Sequence, residues 1–96
     1  MYIYKAAVIG AGTMGAEIAQ VITYSGLPVV LKDIDEKFVQ KGLEHIKSIY
    51  KRRVDKGKMT SSEMDQKLAL VTTTISNEDL KDVDLIIEAV DRKSVV

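Results

Sequence analysis

Several residue types are missing or scarce in this chain, and each shortage excludes a class of protein. Its 96 residues include no cysteine and no tryptophan, and only one proline, one phenylalanine and one histidine. Without cysteine there is neither a disulfide framework nor a thiolate metal site. This fits a reducing compartment, and we expect a cytoplasmic location. No apolar run approaches the roughly 18–20 residues that span a membrane, and the residues before the first apolar run predict no signal peptide. The length suits one small domain.

The charges balance overall but are unevenly distributed. The net charge is zero, so neither a nucleic acid nor a membrane is predicted as a partner. Six basic residues lie between Lys47 and Lys58 against a single acid, and six acids lie between Glu78 and Asp91 against a single base. The basic segment is typical of a solvated helix face, and it also suits a phosphate-bearing ligand.

The most informative motif is a group of three glycines, Gly10-Ala-Gly-Thr-Met-Gly15. It follows the apolar run Ala6–Ile9 and precedes a helix-like stretch that begins at Ala16. An acid, Asp33, ends a second apolar run eighteen residues after Gly15. A glycine triplet alone is weak evidence. Between a strand and a helix, with an acid at the end of the next strand, it is the fingerprint of a dinucleotide-binding site.

Each residue of this fingerprint has a physical role. Gly10 allows the tight turn out of the strand, Gly12 lets a pyrophosphate approach the backbone, and Gly15 allows the helix to pack closely on the strand. The helix N-terminus offers unpaired N–H groups and a partial positive charge to phosphates. Asp33 suits the hydroxyl groups of a ribose and repels a 2′-phosphate, so the motif favours NAD over NADP.

The hydrophobic pattern predicts an α/β domain. The predicted strands cover residues 3–10, 28–33, 71–75 and 83–90, and the predicted helices cover 13–25, 36–56 and 61–70. Right-handed crossovers give a parallel, Rossmann-like sheet in the order 3-2-1-4. The last two helices form a hairpin between strands 2 and 3, where a plain Rossmann half has one helix. We expect the apolar residues Leu85–Ile87 of the fourth strand to be partly exposed.

Local signals place the helix ends. Gly26 suits the end of the first helix, Asp35 can cap the second, and Gly57 can stop it. Thr60 and Glu63 form a capping-box pattern for the third. The single histidine, His45, is interpreted as an ordinary residue of the second helix, because a general base needs hydrogen-bond reach to the proton that it removes.

Four segments together resemble a known family. They are Val8–Gly15, Val29–Asp35, the helical hairpin, and Asp84–Val90, which contains Ile-Glu-Ala-Val. They closely resemble the NAD-binding domain of 3-hydroxyacyl-CoA dehydrogenases, and the resemblance covers residues 1–90. It implies NAD-dependent oxidation of an L-3-hydroxyacyl-CoA to the 3-ketoacyl-CoA, in fatty-acid β-oxidation or butyryl-CoA metabolism.

The resemblance also implies a set of binding residues. The expected cofactor-binding residues are Gly10, Ala11, Gly12, Thr13, Met14, Gly15, Asp33, Glu88, Ala89 and Val90. In the family the basic hairpin faces the CoA side, so the expected CoA contacts are Lys51, Arg52 and Arg53. The resemblance implies an acyl-CoA substrate and a homo-oligomer for the full-length protein. Neither a metal ligand nor a catalytic residue is predicted in this chain.

The chain departs from the family pattern near its end. Arg92 stands where the family has glutamate, and the base, its carboxylate partner and the substrate domain of the family come later than the fourth strand. We therefore expect a partial NAD-binding domain over residues 1–90, without turnover. The segment Asp91–Val96 fits none of the predicted elements and matches a translated sequencing adapter, so it is predicted to be a non-native tail.

Two alternative functions remain open on the sequence. One is an NAD-dependent dehydrogenase of the 6-phosphogluconate or nucleotide-sugar type. The other is a nucleotide-binding or structural relative that has lost catalysis.

Overall fold

The structure, a computed structural model, describes residues 3–89 and has four strands, three α-helices and one 3₁₀ turn. The strands are β1 (Ala6–Ile9), β2 (Val29–Lys32), β3 (Val71–Thr74) and β4 (Leu85–Glu88). The helices are α1 (Thr13–Tyr24), α2 (Glu36–Asp55) and α3 (Ser61–Leu68), and the 3₁₀ turn covers Asn77–Leu80.

The four strands form one parallel sheet in the order β3-β2-β1-β4. This confirms the predicted strand order. The register pairs Ile9 of β1 with Lys32 of β2 on one side and with Glu88 of β4 on the other. The residues that follow these three, Gly10, Asp33 and Ala89, therefore lie side by side at the carboxyl edge of the sheet, where parallel α/β sheets bind their ligands.

The helix ends follow the local signals. The Asp35 carboxylate accepts a hydrogen bond from the backbone N–H of Lys37 at the start of α2. Thr60 and Glu63 form the predicted capping box of α3, in which each side chain accepts from the other residue's backbone N–H. Gly26 and Gly57 have φ angles of 100° and 72°, which glycine adopts more readily than other residues. Each follows the end of its helix, α1 or α2, as is common for glycine.

The helices cover one face of the sheet. Ala6 and Val8 of β1 and Val29 and Leu31 of β2 belong to one buried cluster with residues of the helices. From α2, Val39, Ile46 and Tyr50 are fully buried in this cluster and Val54 packs against it, and Leu43 is half-buried. Ala7 and Val30 point to the opposite face and are also buried. That face is where a right-handed connection from β3 to β4 has to cross the sheet.

A buried polar cluster joins α1 to α2. The Tyr50 hydroxyl donates to the carbonyl oxygen of Gln20 at 3.1 Å and lies 2.7 Å from the Thr23 hydroxyl. Thr23 also donates to the Gln20 carbonyl oxygen at 2.9 Å. Burial raises the pKa of Tyr50 above its ordinary value of 10.0, although the hydrogen bonds to Thr23 and Gln20 act in the opposite direction.

All four strands are shorter than predicted, and one residue explains why β1 and β4 begin later than expected. The Asp84 carboxylate accepts hydrogen bonds from the backbone N–H groups of Tyr4 and Lys5, at 2.8 and 3.1 Å. These N–H groups are bound to a side chain, so β1 begins at Ala6 and not at residue 3, and β4 begins after Asp84 and not at residue 83. The 3₁₀ turn after Ser76, whose hydroxyl accepts from the Glu78 N–H, was not predicted.

The outer strand β4 has the predicted exposure. Leu85 and Ile86 are 41% and 50% exposed, and Ile87 is half-buried. Among residues 3–89, no helix is long and apolar enough to cross a membrane.

Candidate functional site

The glycine loop joins β1 to α1 through a backbone turn that needs glycine. Gly10 has a φ of 103°, which residues with a side chain rarely adopt. Its N–H donates to the carbonyl oxygen of Lys32 at 2.8 Å, so the turn begins at the end of the β1–β2 ladder. The chain then enters α1 at Thr13, with Gly12 as the N-cap.

Gly12 and Gly15 have opposite surroundings. A Cβ atom added to Gly15 would lie 1.7 Å from the carbonyl oxygen of Gly10, so any side chain there would force α1 away from β1. A Cβ added to Gly12 would meet no atom within 4 Å. The open space at Gly12 lies beside the first turn of α1, whose N–H groups suit an anion. The loop therefore has open space and N–H groups where the spacing predicts a pyrophosphate.

Asp33 is linked to the glycine loop. Its Oδ2 accepts a hydrogen bond from the backbone N–H of Ala11 at 2.8 Å, and its Oδ1 accepts from the N–H of Ile34 at 2.7 Å. A carboxylate has about four acceptor positions, so both oxygens retain capacity for the hydroxyl groups of a ribose. The two backbone bonds fix the orientation of the carboxylate before any ligand arrives.

The end of β4 completes this edge of the site. The Ala89 N–H donates to the Ile9 carbonyl oxygen at 2.8 Å, and the Ala89 Cβ would lie 3.4 Å from a Cβ built on Gly15. Glu88 is exposed and pairs in register with Ile9. Thr13 and Met14 are exposed on the first turn of α1. Val90 lies outside the described residues, as does the tail from residue 91.

Two residues near the site were missed by the sequence analysis. Ile34 follows Asp33 directly and is 81% exposed, an unusual position for a large apolar side chain. Gly42, inside α2, faces Ala11 so closely that an added Cβ would lie 2.7 Å from the Ala11 carbonyl oxygen. Its signal in the sequence is a glycine within a strong helical pattern, which usually has a packing reason.

The basic residues predicted to meet CoA are not close to the glycine loop. The helix α2 contacts the glycine loop at Gly42, and its rise places Arg52 about 15 Å further along the axis. There, a shallow cavity of about 220 Å³ is lined by Arg52, Arg53, Lys56 and Lys58. The Arg53 guanidinium stacks over the Tyr24 ring at 4.6 Å, and Lys51 is exposed.

His45 lies on α2 and faces α1. Its Nε2 is 3.5 Å from the Glu17 carboxylate, and both side chains are partly exposed. Within residues 3–89, no group of three or more His, Asp or Glu side chains is arranged to hold a metal ion.

Comparison with known proteins shows the family of this chain. The family model described as 3-hydroxyacyl-CoA dehydrogenase, NAD binding domain, matches residues 5–94. The chain belongs to this family of NAD-binding domains, and its cofactor is NAD. The match agrees with the resemblance seen in the sequence, and it favours this family over the 6-phosphogluconate and nucleotide-sugar types.

The relatives of this NAD-binding domain are much longer than the chain. It is 39% identical over 88 residues to the glyoxysomal fatty acid beta-oxidation multifunctional protein MFP-a of Cucumis sativus, covering 92% of this chain and 12% of the relative. It is 40% identical over 86 residues to the fatty acid oxidation complex subunit alpha of Colwellia psychrerythraea, covering 90% of this chain and again 12% of the relative.

Solved structures show the same domain. The (S)-3-hydroxybutyryl-CoA dehydrogenase PaaH1 from Ralstonia eutropha superposes with a TM-score of 0.90 at 39% identity, over 94% of this chain and 32% of that one. FadB2 of M. tuberculosis superposes with a TM-score of 0.92 at 37% identity, over 96% and 32% of the two chains. The chain thus spans about a third of the length of these two proteins.

Proposed function

We propose that this NAD-binding domain holds NAD between the glycine loop and Asp33, as part of an L-3-hydroxyacyl-CoA dehydrogenase. The observation that carries the proposal is the 2.8 Å hydrogen bond from the Ala11 N–H to the Asp33 carboxylate. It places the ribose acceptor directly beside the open space at Gly12. A pyrophosphate and a ribose are adjacent in a dinucleotide, so the two features suit one ligand.

Each part of the site has a distinct task in this proposal. The first-turn N–H groups of α1 bind the pyrophosphate. Asp33 accepts hydrogen bonds from the ribose hydroxyls, and its charge disfavours the 2′-phosphate of NADP. The remaining residues predicted from the family border the cofactor, namely Ala11, Thr13, Met14, Glu88, Ala89 and Val90. The apolar side chain of Ile34, exposed next to Asp33, suits the face of the adenine ring.

The domain contributes binding and orientation to the reaction of the longer protein. In that protein we propose the oxidation of an L-3-hydroxyacyl-CoA to the 3-ketoacyl-CoA, with NAD as the oxidant. No general base is assigned within this chain: the Nε2 of His45 lies 3.5 Å from the Glu17 carboxylate, and we interpret His45 as an ordinary helix residue. We propose that residues 1–90 form the partial domain, that 91–96 are non-native, and that the isolated chain does not turn over substrate.

The basic end of α2 suits a CoA phosphate. Lys51, Arg52 and Arg53 are the proposed contacts, and the cavity beside Arg52 adds Lys56 and Lys58. Four cations around one shallow cavity favour a phosphate group. The position remote from the glycine loop agrees with a long ligand whose phosphates lie far from its thioester.

A cellular location and an oligomeric state are also proposed for the full-length protein. We infer a cytoplasmic, homo-oligomeric full-length protein that acts on acyl-CoA. The lack of cysteine in the chain supports a reducing compartment.

Calorimetric titration of the 96-residue chain tests the function. We expect NAD to bind and NADP to bind more weakly, and we expect no NADH oxidation with acetoacetyl-CoA. Failure to bind NAD would refute the proposed site, and turnover would refute the absence of a complete catalytic apparatus. Turnover by the full-length protein separates a dehydrogenase from a non-catalytic relative.

A further inference from the structure

Gly42 of α2 is the point at which this helix contacts the glycine loop. A Cβ built on Gly42 would lie 2.7 Å from the Ala11 carbonyl oxygen, 3.0 Å from the Ala11 Cβ and 3.0 Å from Leu31 Cδ2. The nearest of these atoms belongs to the backbone, which cannot swing aside as a flexible side chain can. A side chain on Gly42 would therefore displace either the loop or the helix.

The residue that Gly42 touches also binds Asp33. Ala11 is almost fully buried, and its N–H donates to Asp33 Oδ2 at 2.8 Å. Gly42, Ala11 and Asp33 thus form a chain of contacts from α2, through the glycine loop, to the end of β2. Leu31, two residues before Asp33, lies against the same point of α2, so Gly42 is close to both the glycine loop and β2.

We propose that Gly42 is a positioning residue for the cofactor. Because it has no side chain, α2 can pack directly against Ala11 and hold the Ala11 N–H in the position from which it orients the Asp33 carboxylate. This rests on the proposed NAD site. Gly42 touches no ligand in the proposal and acts through Ala11. Glycine within a helix is ordinarily unfavourable relative to alanine, and this contact accounts for its presence in the middle of α2.

A double-mutant cycle on the 96-residue chain tests the proposal. Gly42→Ala should weaken NAD binding about tenfold in the native background, as expected for a disturbed hydrogen bond to a charged group. In the Asp33→Ala background, where the carboxylate is absent, the same change should cost less than about threefold, because coupled residues are not additive. Calorimetry measures all four affinities.

A matched control and a structural readout accompany the cycle. Ser48→Ala, on an exposed position of the same helix, should leave NAD affinity unchanged. The amide resonance of Ala11 in a ¹H–¹⁵N spectrum should move in Gly42→Ala and in Asp33→Ala, and should stay in place in Ser48→Ala. Should Gly42→Ala not fold, Gly42→Ala with Ala11→Gly removes the Cβ contact but keeps the carbonyl contact, and it should still bind NAD more weakly.

The outcomes distinguish the positioning role of Gly42 from the proposed NAD site. Unchanged affinity in Gly42→Ala, or an equal loss in both backgrounds, overturns the positioning role while the NAD site stands. Native affinity in Asp33→Ala overturns the proposed site itself, whatever Gly42 does.

Discussion

The backbone N–H of Ala11 and the carboxylate of Asp33 are joined by a hydrogen bond of 2.8 Å across 22 residues of sequence. The bond ties the loop that suits a pyrophosphate to the side chain that suits a ribose. The acceptor is therefore oriented within the unliganded chain, which lowers the cost of ordering it upon binding.

Removing the charge of Asp33 should weaken NAD binding and reduce the discrimination against NADP. We expect Asp33→Asn to lower NAD affinity about 10- to 100-fold, since hydrogen bonds to charged groups are the stronger ones. The affinity for NADP should fall less, because the repulsion of its 2′-phosphate is removed as well. Calorimetric titration with both cofactors measures the ratio. The exposed Asp65→Asn on α3 is the control and should change neither affinity.

Gly15→Ala should destabilise the fold. The new Cβ would lie 1.7 Å from the Gly10 carbonyl oxygen, so α1 has to move away from β1. We expect a loss of about 2–4 kcal/mol in the free energy of unfolding, as for severe overpacking. Urea denaturation followed by circular dichroism gives the value. A urea midpoint of Gly15→Ala equal to that of the native chain would contradict the close contact between β1 and α1.

Gly12→Ala, unlike Gly15→Ala, should leave the stability almost unchanged and weaken NAD binding. Its Cβ meets nothing within 4 Å, so the free energy of unfolding should change by less than about 1 kcal/mol, the scale of an N-cap substitution. The affinity for NAD should fall at least about tenfold, because the methyl group occupies the space left for the pyrophosphate. Parallel denaturation and calorimetry check the two effects, and an unchanged affinity would place the phosphates elsewhere.

Tyr50→Phe should destabilise the chain at neutral pH and less at high pH. The hydroxyl lost is buried and bonded to Gln20 and Thr23, so we expect a cost of about 1–2 kcal/mol. Burial raises the pKa of Tyr50 in the folded chain above the ordinary value of 10.0. Above pH 10 the unfolded chain then loses this proton first, so native stability falls as the pH rises.

The measurement for Tyr50 compares the native chain with Tyr50→Phe in urea at pH 7 and at pH 10.5–11. The difference in unfolding free energy between the two chains should shrink at the higher pH, because the variant has no proton to lose at position 50. Tyr4→Phe, at a mostly exposed side chain, is the control for the neutral-pH cost. A constant difference for Tyr50→Phe would contradict the linkage.

The basic end of α2 should bind CoA independently of NAD. We expect the double variant Lys51→Gln, Arg52→Gln to weaken CoA binding about three- to tenfold and to leave NAD binding unchanged, because Arg52 lies about 15 Å along α2 from the point where Gly42 contacts the glycine loop. Both side chains are exposed, and Arg53 keeps its stacking on Tyr24 in this variant. Rising salt should weaken CoA binding to the native chain and reduce the difference.

The sequence was most informative where the structure is locally determined. Gly10, Gly12 and Gly15 lie within six residues, and their spacing fixes the turn, the open space and the close contact that the structure shows. The capping residues Asp35 and Thr60 act on the next few residues, so they too could be predicted. The strand order followed from the handedness of the crossovers.

The features that were missed depend on contacts between distant segments. The Asp84 carboxylate binds Tyr4 and Lys5 across about eighty residues, and periodicity carries no trace of that contact. Gly42 looks like a weak helix residue until Ala11 is placed against it. The exposure of Ile34 depends on where β2 ends relative to the loop. Each of these is a property of the assembled fold.

The side-by-side alignment of Gly10, Asp33 and Ala89 affects the stability of the chain against unfolding and proteolysis. Three segments separated widely in sequence must all be in place before the proposed site exists, so an unfolded chain has nothing with which to recognise NAD. Ligand concentration then becomes a term in the folding equilibrium: at one hundred times its dissociation constant, NAD adds about 2.7 kcal/mol to stability. The cellular supply of the dinucleotide would thus set how long the domain persists before proteases reach it.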